Sequence, residues 1–194
     1  QLANQAMLNQ RVNVLKRRTS NINLEEITWY PFQLAFFLQE ITSIVDPVSD
    51  ERKLVDLLWF PTGGGKTEAY LGISAFVIFY RRLRDGKDNA GVTILMRYTL
   101  RLLTIQQFDR AAALICSCES LRRSQNLGGE EISIGLFVGG GLTPNKIDEA
   151  QKNLEEIIKN GDKSVRSGNP HQVFNCPACG TELPIQQYKI ENNK

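Results

Sequence analysis

The stretch "DLLWFPTGGGKTEAYLG", residues 56 to 72, governs the reading of everything around it. Leu54 to Phe60 read as a short, fully buried strand. Pro61, Thr62, Gly63, Gly64, Gly65, Lys66 and Thr67 follow. The spacing of Leu71, Ile73, Phe76, Val77 and Tyr80 then predicts a helix from about Lys66 to Arg84. Consecutive glycines let backbone N–H groups converge on phosphate oxygens, and the helix adds its positive N-terminal end. Lys66 would neutralise the β- and γ-phosphates, and the Thr67 hydroxyl would coordinate Mg²⁺. Lys66 and Thr67 are therefore the candidate catalytic residues, and Thr62, Gly63, Gly64, Gly65, Lys66, Thr67 and Glu68 the candidate nucleotide contacts. The usual first glycine of such a loop is absent, since Phe60 holds that place.

The surroundings repeat this alternation. "VTILM" (92 to 96) and "ISIGLFV" (132 to 138) read as two more buried strands, with a long helix between them opening at Thr99. Strand, helix, strand, helix, strand predicts an α/β fold with a parallel sheet and flanking helices. Upstream, residues 1 to 18 read as an amphipathic helix ending in Lys16, Arg17 and Arg18. A second helix is expected from Pro31 to the break at Asp46 and Pro47. Downstream, Thr143 and Pro144 are placed as cap and first residue of another helix.

The chain has 194 residues, of which 42% are hydrophobic, enough for one domain with a small appendage. Its formal net charge of +2 neither demands nor excludes a nucleic-acid partner. No apolar run reaches the roughly 18 residues of a membrane span. Four cysteines, unevenly placed, do not make a secreted disulfide framework, so a cytoplasmic location is expected. The sequence begins without Met, which reads as a piece of a longer chain.

With these motifs in place, the chain resembles superfamily 2 helicases, nucleic-acid motors built from two RecA-like lobes. "WYPFQ" lies where that family keeps an adenine-reading glutamine, here Gln33. "ILMRYTLRLLTIQQF" is similar to the first nucleic-acid-contacting motif, with Thr99, Arg101 and Gln106 as its contacts; Tyr98 and Leu100 depart from it. Gly139 and Gly140 hold the place of the glycine pair that approaches the tracked strand. The wording of "FPTGGGKTEAYLG", "MRYTLRLLTIQQFDRAAALI" and "CPACGTEL" further resembles the DrmA family of helicase subunits in the DISARM anti-phage defence system.

That resemblance implies an ATP- and Mg²⁺-dependent DNA motor. It would act on single-stranded DNA or a duplex with a single-stranded end, beside a second subunit, DrmB. It divides the chain into an N-terminal extension (1–27), the first part of a RecA-like lobe (28–159), a flexible linker (160–170) and a partial zinc-ribbon-like insertion (171–194). The acidic pair that polarises water is missing, since Asp148, Glu149, Glu155 and Glu156 fall on a predicted helix. The fragment alone should not hydrolyse ATP efficiently.

Cys176 and Cys179, in "CPACG", have the form of a zinc knuckle, with two of the four ligands tetrahedral zinc needs. His171, the only histidine, is a weak third ligand. Cys116 and Cys118, about 200° apart on a helix, are read as core and incidental respectively. Two other readings stay open: a non-motor P-loop regulatory protein, and a zinc-ribbon interaction module.

Overall fold

The computed structural model describes residues 1–191 except 20, 62, 87–90, 99–100 and 140, and the backbone alone of 101–104. Five helices carry the structure: α1 (Leu2–Lys16), α2 (Pro31–Val45), α3 (Lys66–Asp85), α4 (Arg101–Ser124) and α5 (Ile147–Asn160). Short 3₁₀ turns described beside them include Leu24–Glu26, Asp50–Lys53, Asp162–Ser164 and Ile185–Gln187.

The core is helix on helix. α1 packs against both α3 and α4, and α2 lies on the other side of α3. On α3 the buried positions Leu71, Ala75, Ile78, Phe79 and Arg82 fall at the three- and four-residue steps of one helical face. They meet Ala111, Leu114, Cys118 and Leu121 of α4 and Ala6 and Met7 of α1. Small residues permit the close approach. Gly72 has no room for a methyl group, because a Cβ there would lie 2.7 Å from the Trp29 ring. Trp29 is itself fixed, its Nε1–H donating to Asn4 Oδ1 of α1 at 2.8 Å.

The expected parallel sheet is overturned. Among the described residues there is no sheet, only one antiparallel bridge between Asn175 and Glu182. Residues 54–60, 92–96 and 132–138 run without ladder partners. Val55 is 96% exposed, Trp59 82%, Leu95 79% and Phe137 97%, so these runs are largely exposed; only Ile132 enters the core, with Ile94 and Met96 packed against it. A helix satisfies its backbone within itself, whereas every strand hydrogen bond needs a neighbour supplied from elsewhere. The three runs have the residue types of strands and lack that neighbour. The RecA-like architecture therefore does not describe this chain.

Other boundaries shift less. α5 starts at Ile147 with Lys146 as its N-cap, not at Thr143 and Pro144. Thr143 donates instead to the Val138 carbonyl at 3.3 Å. Cys116 and Cys118 exchange roles: Cys118 is fully buried in the core, while Cys116 is half-buried.

Two arginine-centred clusters pin the chain after α4. Glu119, buried, accepts from Arg122 through both carboxylate oxygens, from Arg123, and from the Ile132 N–H at 3.0 Å. Arg82 donates to the Gly128 carbonyl and, at 2.7 Å, to the Glu130 carbonyl. Together they hold 128–132 against the α3–α4 pair.

Two outcomes follow from this packing. Gly72→Ala should lower stability by about 1–3 kcal/mol, read as a drop in the denaturant midpoint, because the Trp29 ring cannot step aside without breaking its bond to Asn4. Glu119 has its carboxyl held down to about 2, first by Arg122 and opposed by burial. A depressed carboxylate stabilises the fold above its unfolded value and loses that contribution as pH falls through its folded value. Glu119→Gln should therefore cost on the order of 3 kcal/mol at neutral pH, with the gap to wild type closing between about pH 4.5 and 2. A gap independent of pH would show that the ion pairs contribute nothing.

Candidate nucleotide site

The phosphate loop joins the exposed run 54–60 to the N-terminus of α3. Gly63 and Gly65 take φ of +84° and +89°, the left-handed region that side chains disfavour. Gly65 is the N-cap of α3 and offers no side chain, so the first N–H groups of the helix stay open at the loop. The Gly64 N–H donates to the Pro61 carbonyl at 3.2 Å, closing a tight turn. Lys66 curls back over that turn, its ammonium donating to the carbonyls of Phe60 and, at 2.9 Å, Pro61. Thr62 lies outside the described residues.

Thr67 and Glu68 turn toward α4. The Thr67 hydroxyl donates to Gln107 Oε1 at 3.3 Å, and Glu68 pairs with Arg110. Gln107, which sequence reasoning did not single out, is the glutamine that meets the loop, while Gln106, expected as a nucleic-acid contact, is exposed. One helical position is 100° of rotation, a distinction the motif's spacing does not resolve. Arg110 carried no sequence signal apart from its placement nine residues beyond Arg101. Arg101 opens α4, Gly139 is exposed in a turn, and Thr99 and Gly140 lie outside the described residues.

Gln33 is 4% exposed and reaches the loop from α2. Its Oε1 accepts from the Tyr30 N–H at 2.8 Å, and its Nε2–H donates to the Gly65 carbonyl at 2.8 Å. Beside it, Phe32 stacks on Phe60 with ring centroids 3.9 Å apart. The first turn of α2 thus touches both ends of the loop.

The cysteine knuckle stands apart, near the C-terminal end of α1. The Cys176 N–H donates to the Thr181 carbonyl at 2.7 Å and the Gly180 N–H to the Cys176 carbonyl at 2.8 Å, with Gly180 at φ +79°. This is the tight turn the "CPACG" wording calls for. Arg17 donates to the Cys176 carbonyl at 3.2 Å and lays its stem against Gly180. Cys116 lines a groove of about 460 Å³ with Ala178, Leu24 and Lys16.

His171 is buried, and its ring faces two acceptors. Nδ1 lies 3.0 Å from Asp162 Oδ1, and Nε2 lies 3.1 Å from the Leu183 carbonyl. Among the described residues, no three His, Cys, Asp or Glu side chains converge as a metal site. The two thiols fit half of a zinc set.

No family model matches the chain. It is 48% identical over 174 residues, 84% of its length, to "DISARM protein DrmA" of Bacillus paralicheniformis. It spans 15% of the length of that relative. No helix among the described residues is long and apolar enough to cross a membrane.

The thiols differ enough to be told apart chemically. Cys179 is exposed and held down to about 7, by the Thr181 hydroxyl first, then by the Thr181 backbone and Cys176. Burial pushes Cys118 up to about 12. In the folded, metal-free chain at pH 7.5, iodoacetamide should modify Cys179 first and Cys118 last, since only the thiolate attacks. Mass spectrometry of peptides over time would read the order, and early modification of Cys118 would contradict the packing of α4.

Proposed function

We propose that the loop at 60–68 binds the phosphates of ATP with Mg²⁺, and that it does so within a DNA helicase or translocase of anti-phage defence. The observation that carries this reading is the shape of the loop. Two left-handed glycines, an uncapped helix N-terminus and a lysine folded onto the loop carbonyls gather the kind of donors a phosphate calls for. Lys66 would swing from those carbonyls to the β- and γ-phosphates. Thr67 would turn its oxygen to Mg²⁺ while keeping its proton on Gln107.

The defence role rests on the identity to the DrmA relative, whose name places it in DISARM. A second subunit of that system, DrmB, and a DNA substrate are proposed on the same ground. Thr99, Arg101, Gln106, Gly139 and Gly140 are proposed as the DNA contacts, and phosphate contacts of this kind position a strand without reading its sequence. Zinc is proposed at Cys176 and Cys179. It would fix the knuckle by its thiolates and would take its remaining ligands from outside the described residues, since both ring nitrogens of His171 are engaged.

The test is ATP hydrolysis by the full-length protein, with and without single-stranded DNA, beside Lys66→Ala. Stimulation by DNA that the substitution removes, by a hundredfold or more, is the expected result, the scale of losing a charge that acts in the transition state. Hydrolysis indifferent to DNA would point to a regulatory nucleotide binder instead. No binding and no hydrolysis would reject the nucleotide site.

A further inference from the structure

We infer that Gln33 is a positioning residue for the phosphate loop and does not read the base. The inference rests on the nucleotide reading of that loop and gives one of its residues a different task. An amide that reads adenine must present a donor and an acceptor, both open to the ligand. Here neither is open. Gln33 is 4% exposed, its oxygen caps the first turn of α2 through the Tyr30 N–H, and its nitrogen holds the Gly65 carbonyl.

The Gly65 carbonyl belongs to the peptide that links the loop to Lys66. Gly65 sits at φ +89°, and because the peptide is planar, fixing its carbonyl also fixes the same peptide's N–H, that of Lys66, in the opposite direction. The approach is tight: a Cβ on Gly65 would lie 2.8 Å from Gln33 Nε2 and 3.4 Å from the Tyr30 ring. Phe32 on Phe60 steadies the other end of the loop from the same helical turn. α2 therefore holds the loop at its entry through an aromatic stack and at its exit through one amide hydrogen bond. What this arrangement serves is the part common to all nucleotides, the phosphate chain.

The two roles separate by ligand. If Gln33 positions the loop, Gln33→Met, which keeps the side-chain length and removes both polar groups, should weaken ATP, GTP and inorganic tripolyphosphate alike. One neutral hydrogen bond amounts to roughly three- to tenfold for each, with the ATP-to-GTP preference unchanged. If Gln33 reads adenine, only ATP weakens, tripolyphosphate binding is unaffected and the preference for ATP collapses; that result overturns the inference. Isothermal titration of the full-length protein with the three ligands and Mg²⁺ would decide. Gly65→Ala, which crowds the same amide bond, should give the ligand-independent loss as well, and a base-selective loss there would also overturn the inference. Absence of tripolyphosphate binding in the wild type, or its survival in Lys66→Ala, would instead reject the phosphate site itself, and the inference with it.

Discussion

The burial of one face of α3 is the constraint on which the rest of the chain depends. Leu71, Ala75, Ile78 and Phe79 close against α1 and α4, and the same helix begins at the phosphate loop and ends at the arginine that holds 128–132. Because α3 is held along its length by apolar contact, its N-terminus is a fixed platform. Removing one of its large fully buried side chains, Leu71 or its partner Leu114, would remove the support on which the loop geometry rests.

The loop inherits its shape from three directions. α3 supplies the open N–H groups, α2 supplies Gln33 and Phe32, and α4 supplies Gln107 and Arg110. The α4 contacts are weak individually. Arg110 and Glu68 are both partly exposed, and an ion pair of that kind contributes at most about 1 kcal/mol. Their value is directional, since they fix the side chains of Thr67 and Glu68 against α4 while Lys66 folds over the loop.

The helices were legible in the sequence because a helix is a local object. Pro31 opened α2, the glycines opened α3, and apolar spacing marked both. The strands were misread because an apolar run of five to seven residues states only that a segment could be buried in a sheet. Whether it is depends on partners that composition does not name, and Val55, Trp59 and Phe137 stand in solvent. Of the site, the loop residues were legible because their chemistry is carried by consecutive positions. Gln107 and the true task of Cys118 were not, because each is decided by which face of α4 meets a neighbouring helix, one or two positions of rotation.

The resting position of Lys66 bears on how the loop would meet a ligand. Its ammonium lies on two carbonyls, so its donors are engaged within the loop and the turn is drawn tight. An incoming phosphate would exchange those neutral acceptors for charged ones, which bind an ammonium more strongly. The carbonyls of Phe60 and Pro61 would be released in the exchange, and Phe60 is exposed enough for water to reach it. The Phe32–Phe60 stack keeps that residue in place while its carbonyl turns to water, so the entry of the loop need not unfold when the lysine leaves. The aromatic contact and the Gln33 amide then act as complementary restraints, one holding the chain that loses a partner and the other holding the chain that gains one.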